Sequence, residues 1–279
     1  MWLLTAIEHG FALNTHEWRL QAFRVMLGLG CFVKTGVSVF CGDWGRVDQR
    51  AFGYYSVLRR HGHVRAELIR LTHKPLLVIR LIASAALMAG VGSRIACCVL
   101  GLGLFAELYW EYRFNTIYLM CCLLAILPAE RLDGYSDRVV SSQGNTWAQA
   151  LVVLVTIDLY WNSAWCKIRS AQFRSGMLLA QVFNGAASLR HLMPRWEFWH
   201  PAWLGRMARA PGAAGVWQTL SIGVIGAEVL LPIGLLFPEQ WAMTAVVGLV
   251  LHVGFVILLP LRLIPFQIVT ISTYLLFLR

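Results

Sequence analysis

The chain has 279 residues, of which 58% are hydrophobic and 14% charged, against about 45–50% apolar in an ordinary soluble domain. With a mean hydropathy of +0.62, this excludes a water-soluble globular protein and predicts a polytopic membrane protein. The formal net charge is +10, but basic loops that set membrane orientation account for it without nucleic-acid binding.

In chain order, apolar runs near the roughly 20 residues that cross a bilayer predict an all-α transmembrane bundle of about eight spans, one integral membrane domain over residues 1–279. The N-terminal stretch is broken early by Glu8, His9 and Glu17, which predicts a short interfacial segment rather than a signal peptide. Span one is expected from Leu20 to Phe40. Residues 42–74 follow, and their basic second half, LRRHGHVRAELIRLTHK, predicts an amphipathic helix on the membrane surface. Span two is expected from Pro75 to Val91, with Arg80 inside it, and span three from Ile95 to Trp110. Glu107, Glu111 and Asn115 fall at i, i+4 and i+8, a polar stripe whose acids need a cavity or an arginine; Arg80 and Arg113 are the candidates.

Span four, Thr116 to Leu127, ends at Pro128, and a polar loop with DG and GN turn signals leads to span five, Trp147 to Lys167. The polar region 170–215 reads as a second basic interfacial segment, its Trp196, Trp199 and Trp203 alternating with arginines at headgroup level. The last spans are Val216 to Phe237 with Glu228 and Pro232, Trp241 to Leu259 with His252, and Leu263 to Leu278 opening on Pro265 and Phe266. Seven cysteines form no CxxC and no zinc-spaced Cys/His cluster, which predicts small buried hydrophobes and no metal site. The loops 41–74, 111–115 and 168–215 share one face, and the positive-inside rule places it in the cytoplasm of a bacterial-type cell membrane. An anionic substrate drawn to the same arginines is the competing explanation.

The stretch Asp158–Gly176 organises the functional reading. Asp158, Asn162 and Cys166 recur at i, i+4 and i+8, and Lys167 lies about 100° further round. A polar stripe in lipid is expected to face a protein interior, although a lysine at a helix end also serves as a headgroup anchor. Among aromatics such as Trp161 and Trp165, a desolvated Lys167 is a candidate base, and a neighbouring carboxylate opposes that shift. Glu107/Glu111/Asn115, Asp158/Asn162/Lys167, Glu228 and His252 are expected to converge on one cavity. His252 has the alternative of a hydrogen-bonded core residue, and Glu228 that of tying down backbone groups freed by Pro232. No P-loop, Rossmann glycine pattern, G-x-S-x-G or Asp-rich magnesium run is present.

The run Trp165-Cys166-Lys167-Ile168, then Phe173 and Gly176, resembles a motif of the vitamin K-dependent γ-carboxylase family and its HTTM membrane domain. Asn115-Thr116-Ile117-Tyr118-Leu119 is similar to that family's Asn-His-x-Tyr-Leu, and Glu228 with Pro232, His252 and Pro265-Phe266 to its closing helices. The resemblance implies that Lys167 is the base that deprotonates a quinol-type lipid cofactor. The family's histidine falls on Thr116, and no counterpart of the large peptide-binding soluble domain is found, so glutamate carboxylation is not expected.

These observations predict an intramembrane enzyme on an isoprenoid-type lipid, with Lys167 as general base, Glu228, His252 and Asp158 beside it, and Glu107, Glu111, Asn115, Tyr118, Asn162, Trp161, Trp165, Arg113 and Arg169 around the substrate. A second reading is prenyl-diphosphate cyclisation. Glu107, Glu111 or Asp158 would be the acid, Trp110, Trp161 and Trp165 would stabilise carbocations, and Mg²⁺ would enter only with the diphosphate. A third is a non-catalytic factor in peptide or toxin maturation, its polar residues joining helices and a peptide its partner. An isoprenoid pocket predicts apolar surroundings at Asn115 and Thr116.

Overall fold

Apolar runs without strict alternation leave the backbone to satisfy itself, and in lipid a helix does this within one segment. A computed structural model of the chain describes residues 15–40, 52–108, 114–136, 139–140, 143–189, 202–210, 212–237, 241–258 and 263–277. Cys41, Trp110, Glu111, Arg113, Trp196 and Trp199 lie outside the described residues, as do Glu8 and His9.

The described residues are helical apart from loops and one short ladder, in which β1 (Thr15–His16) pairs antiparallel with β2 (Val139–Val140). The helices are α1 (Glu17–Phe40), α2 (Phe52–His61), α3 (His63–Ala89), α4 (Ser93–Leu108), α5 (Phe114–Ala125), α6 (Gln143–Arg169), α7 (Ala171–Arg174), α8 (Met177–Leu189), α9 (Ala202–Arg209), α10 (Ala214–Leu236), α11 (Trp241–Leu258) and α12 (Ile264–Ser272), the last continued by a 3₁₀ turn at Thr273–Phe277. Each of the predicted apolar segments is occupied by a helix. Four stretches, Glu17–Val39, His63–Ala89, Asn145–Arg169 and Ala214–Leu236, are long and apolar enough to cross a membrane. The chain therefore has the make-up of an integral membrane protein.

Two boundaries differ from expectation. The second span does not begin at Pro75, because α3 runs unbroken from His63 through that proline. Proline removes the N–H that the Leu71 carbonyl would accept, and in the turn before it the Thr72 hydroxyl bonds Leu68 O at 2.8 Å. The basic half of segment 42–74 is thus the first part of a long helix. There Val57 of α2 packs on Ala66 of α3. The region 170–215 is likewise not polar throughout. It holds α8, whose apolar sequence was hidden between basic flanks, and Phe183 of α8 packs with Leu204 of α9 and Trp217 of α10.

The chain divides into two units, Phe11–Val155 with Ile264–Arg279, and Thr156–Leu263 with Met1–Gly10. In the first, α1 packs on α3 and α12, and α4 lies between α3 and α5. The inward face of α1 carries Leu20, Phe23, Arg24, Leu27 and Cys31. The loop after α5 is clamped by side chains. Arg24 donates to Leu132 O at 2.6 Å, Tyr135 to Met88 O at 2.7 Å, and Gln21 accepts from Ser136 N at 2.8 Å. Asp133 accepts from Ser93 N at 2.6 Å, at the start of α4. In the second unit α10 packs on α11, α8 and α7. Cys31, Cys97 and Cys122 are buried as predicted, but Cys98 and Cys166 are exposed. Neighbours on a helix point about 100° apart, so Cys97 and Cys98 cannot both face inward.

Candidate active site at Lys167

Lys167 sits in the last turn of α6, where unpaired carbonyls favour a cation. Immediately beyond, the chain reverses. Ser170 Oγ accepts from Phe173 N at 3.2 Å and caps α7, and Gly176 adopts φ 77°, a left-handed conformation that favours glycine. A Cβ at Gly176 would also strike the backbone of Trp217 and Gln218, so this turn seats α7 directly on α10. The same reversal brings the buried Phe173 ring to 5.6 Å from Lys167 Nζ, and the Phe255 ring of α11 lies 5.8 Å away.

The partner of Lys167 is Glu228 on α10, only 2% exposed. Lys167 Nζ donates to both carboxylate oxygens, at 2.6 Å to Oε2 and in a shorter contact to Oε1. It also donates to Ser163 Oγ at 2.6 Å, and the Ser163 hydroxyl donates onward to Glu228 Oε1 at 3.1 Å. All three ammonium N–H groups are therefore in use. Glu228 turns its side chain to Lys167 and Ser163, not to the backbone near Pro232. Deeper along α6, the Tyr160 hydroxyl meets His252 Nε2 at 2.5 Å, and His252, 0% exposed, lies edge-on to Phe255. His252 is thus a hydrogen-bonded core residue that shares Phe255 with Lys167.

The polar stripe predicted on α6 faces the other way. Asp158 and Asn162 bond each other at 2.8 Å on the exposed side of the helix. Trp161, Trp165 and Cys166 are exposed beside them, and the Arg169 guanidinium lies 5.7 Å from the Trp165 ring. At about 100° per residue these positions centre roughly 180° from Lys167. The inward face is Tyr160, Ser163, Ala164 and Lys167, of which Tyr160 and Ser163 were not predicted as site residues. Their signal was the i, i+3, i+7 spacing from Tyr160 to Lys167.

Glu107 is held in the other unit, with counter-ions of its own. Arg80 Nη1 donates to its Oε2 at 2.7 Å, as foreseen, and Lys34 Nζ lies 2.7 Å from its Oε1. Lys34 was missed, although a lysine within an apolar span is itself the signal. Of the stripe Glu107/Glu111/Asn115, Glu107 lies on α4 and Asn115 on α5, and Glu111 lies outside the described residues. Thr116 is fully buried with its hydroxyl 3.3 Å from Glu107 Oε1, so its surroundings are polar where apolar ones were expected. Tyr118 stacks edge-on with Phe266 at 5.4 Å. Among the described residues no group of three or more His, Cys, Asp or Glu is assembled as for a metal ion.

No family model, curated protein or solved structure matches this chain. What Lys167 does must therefore be argued from its geometry.

Proposed function

We propose that the chain is an integral membrane enzyme, crossing the membrane with its eight apolar helical segments, that takes a proton from a weakly acidic hydroxyl of an isoprenoid-type lipid. Lys167 is the general base and Glu228 its proton acceptor. The observation that carries this reading is the saturated ammonium: the proton Lys167 must lose to become a base already has an acceptor, Glu228, in contact. A low-dielectric site narrows the gap between such an ion pair and its neutral form. With the proton on Glu228, the amine takes a proton from the substrate hydroxyl, leaving an oxyanion beside the re-formed ammonium. Glu228 then releases its proton to complete the cycle.

Phenols and alkylamines titrate near one another, at about 10 and about 10.4, so a quinol-type lipid, the class the family resemblance implies, suits an amine base. The rings of Phe173 and Phe255 lie beside the amine and offer apolar contact to a prenylated ring. Cyclisation with Glu107 as acid is the weaker reading, since both oxygens of that carboxylate are engaged by Lys34 and Arg80.

The test is deprotonation of a reduced isoprenoid quinol by the purified protein in lipid nanodiscs, followed by the ultraviolet absorbance that separates the oxyanion from the neutral quinol. Lys167→Met is expected to lower the rate about 10²–10⁴-fold at unchanged expression, and Glu228→Gln to be similarly impaired. Wild-type deprotonation by Lys167→Met sinks the proposal and leaves the polar residues as helix-joining contacts.

A further inference from the structure

The cluster around Arg80 is not used by the chemistry at Lys167, and its charges do not balance. Among the described residues, Lys34 and Arg80 are two cations against the single carboxylate of Glu107, which leaves one positive charge. Arg80 is 1% exposed, and its Nη1 is taken by Glu107 Oε2. Its Nε and Nη2 are buried and meet no hydrogen-bond acceptor among the described residues. These two N–H groups project side by side from one edge of the guanidinium, at the spacing of two oxygens of a carboxylate or phosphate. A charged donor edge shut away from water is unfavourable until an acceptor reaches it. A water molecule offers oxygen but no charge; an oxyanion supplies both acceptors and the missing negative charge.

The local fold holds this edge in place. A Cβ at Gly103 of α4 would lie 2.9 Å from Arg80 Cγ and Cδ, so glycine lets the arginine stem lie flat against that helix. Arg24, buried in the same unit, leaves the same edge without an acceptor, but its Nη1 is held by Leu132 O and its face by the Tyr135 ring. Among the described residues it is Arg80 that shares a carboxylate with a second cation.

We propose that the Nε/Nη2 edge of Arg80, with Lys34 supplying the excess charge, is a binding site for a carboxylate or phosphate group. The same chemistry is found in a soluble anion and in the headgroup of an anionic amphiphile. The experiment uses the full chain in dodecyl maltoside micelles, which carry neither group, and measures affinity by native mass spectrometry and by the shift in unfolding temperature. One arm adds inorganic phosphate and the other oleate or dodecyl phosphate. Saturable binding with a raised unfolding temperature is expected, and the responding arm identifies the source. Arg80→Lys keeps the charge but loses the paired donors, and should bind at least tenfold more weakly. Lys34→Gln keeps the Arg80–Glu107 pair and removes the excess charge, and should weaken binding similarly. Lys167→Met should bind as wild type. Absence of binding in both arms overturns the proposal, as does undiminished affinity in Arg80→Lys. If Arg80→Lys does not fold, undiminished affinity in Lys34→Gln overturns it.

Discussion

Glu107 and Glu228 are both buried carboxylates on apolar helices, yet their surroundings differ in charge and in access. Glu107 faces two cations and the Thr116 hydroxyl, and the side chains of the trio are 2–10% exposed. Glu228 faces one cation and the Ser163 hydroxyl, and its lysine keeps 21% of its side chain exposed. The first site is the less exposed of the two and, among the described residues, carries excess positive charge. The second is neutral as a pair and opens through its basic member. A buried carboxylate in a membrane protein is thus not one kind of feature: the number of cations around it sets the charge left over, and their exposure sets what can reach it.

The comparison breaks most visibly at Glu107. Glu107→Leu leaves Lys34 and Arg80 as uncompensated neighbouring cations, and a loss of about 3–5 kcal/mol is expected, read as a large drop in unfolding temperature or in folded yield. Little change would mean that the cluster is already solvated. Lys167→Met should be milder in stability, because the abandoned Glu228 escapes by taking up a proton, a route closed to a lone arginine. The double variant Lys167→Met/Glu228→Leu should recover most of that loss in a double-mutant cycle, while activity stays absent.

Tyr160→Phe comes next. It removes the hydroxyl bonded to the buried His252 and should cost about 1–3 kcal/mol. A Tyr160→Phe variant as stable as wild type would show that His252 finds another partner. The smallest effect is expected at Asp133, outside the spans. The nearby Ser93 side chain and then the hydrogen bond from its backbone N–H hold this carboxyl below its usual range. A depressed carboxylate stabilises the fold above its unfolded pKa and loses that contribution as the pH falls through the folded value. Unfolding temperature should therefore decline on acidification in wild type, and Asp133→Asn should flatten that part of the profile.

Much of the architecture was legible beforehand. Apolar runs marked the long helices other than α3 to within a few residues, and Arg80 was a foreseeable partner for Glu107. That Glu107 and Asn115 belong to two described helices, α4 and α5, was not legible, since i, i+4, i+8 spacing does not show which helix carries each residue. The apolar α8 was masked by its basic flanks, and Pro75 read as a start although α3 passes through it. At the candidate site Lys167, Glu228 and His252 were singled out as ionisable residues on apolar helices and by the family resemblance. Ser163 and Tyr160 were not, because a serine and a tyrosine on an apolar helix carry no charge signal.

The sequence by itself determined that this chain is helical and membrane-embedded, because run length and hydropathy are local properties measured against a fixed bilayer thickness. It also determined the angles on α6, placing Asp158, Asn162 and Trp165 on one side and Ser163 and Lys167 on the other. Only the tertiary structure decided which side turns inward. That choice rests on Glu228, 61 residues away along the chain, whose buried carboxylate needs a cation and finds it on the face of α6 that the polar stripe does not occupy.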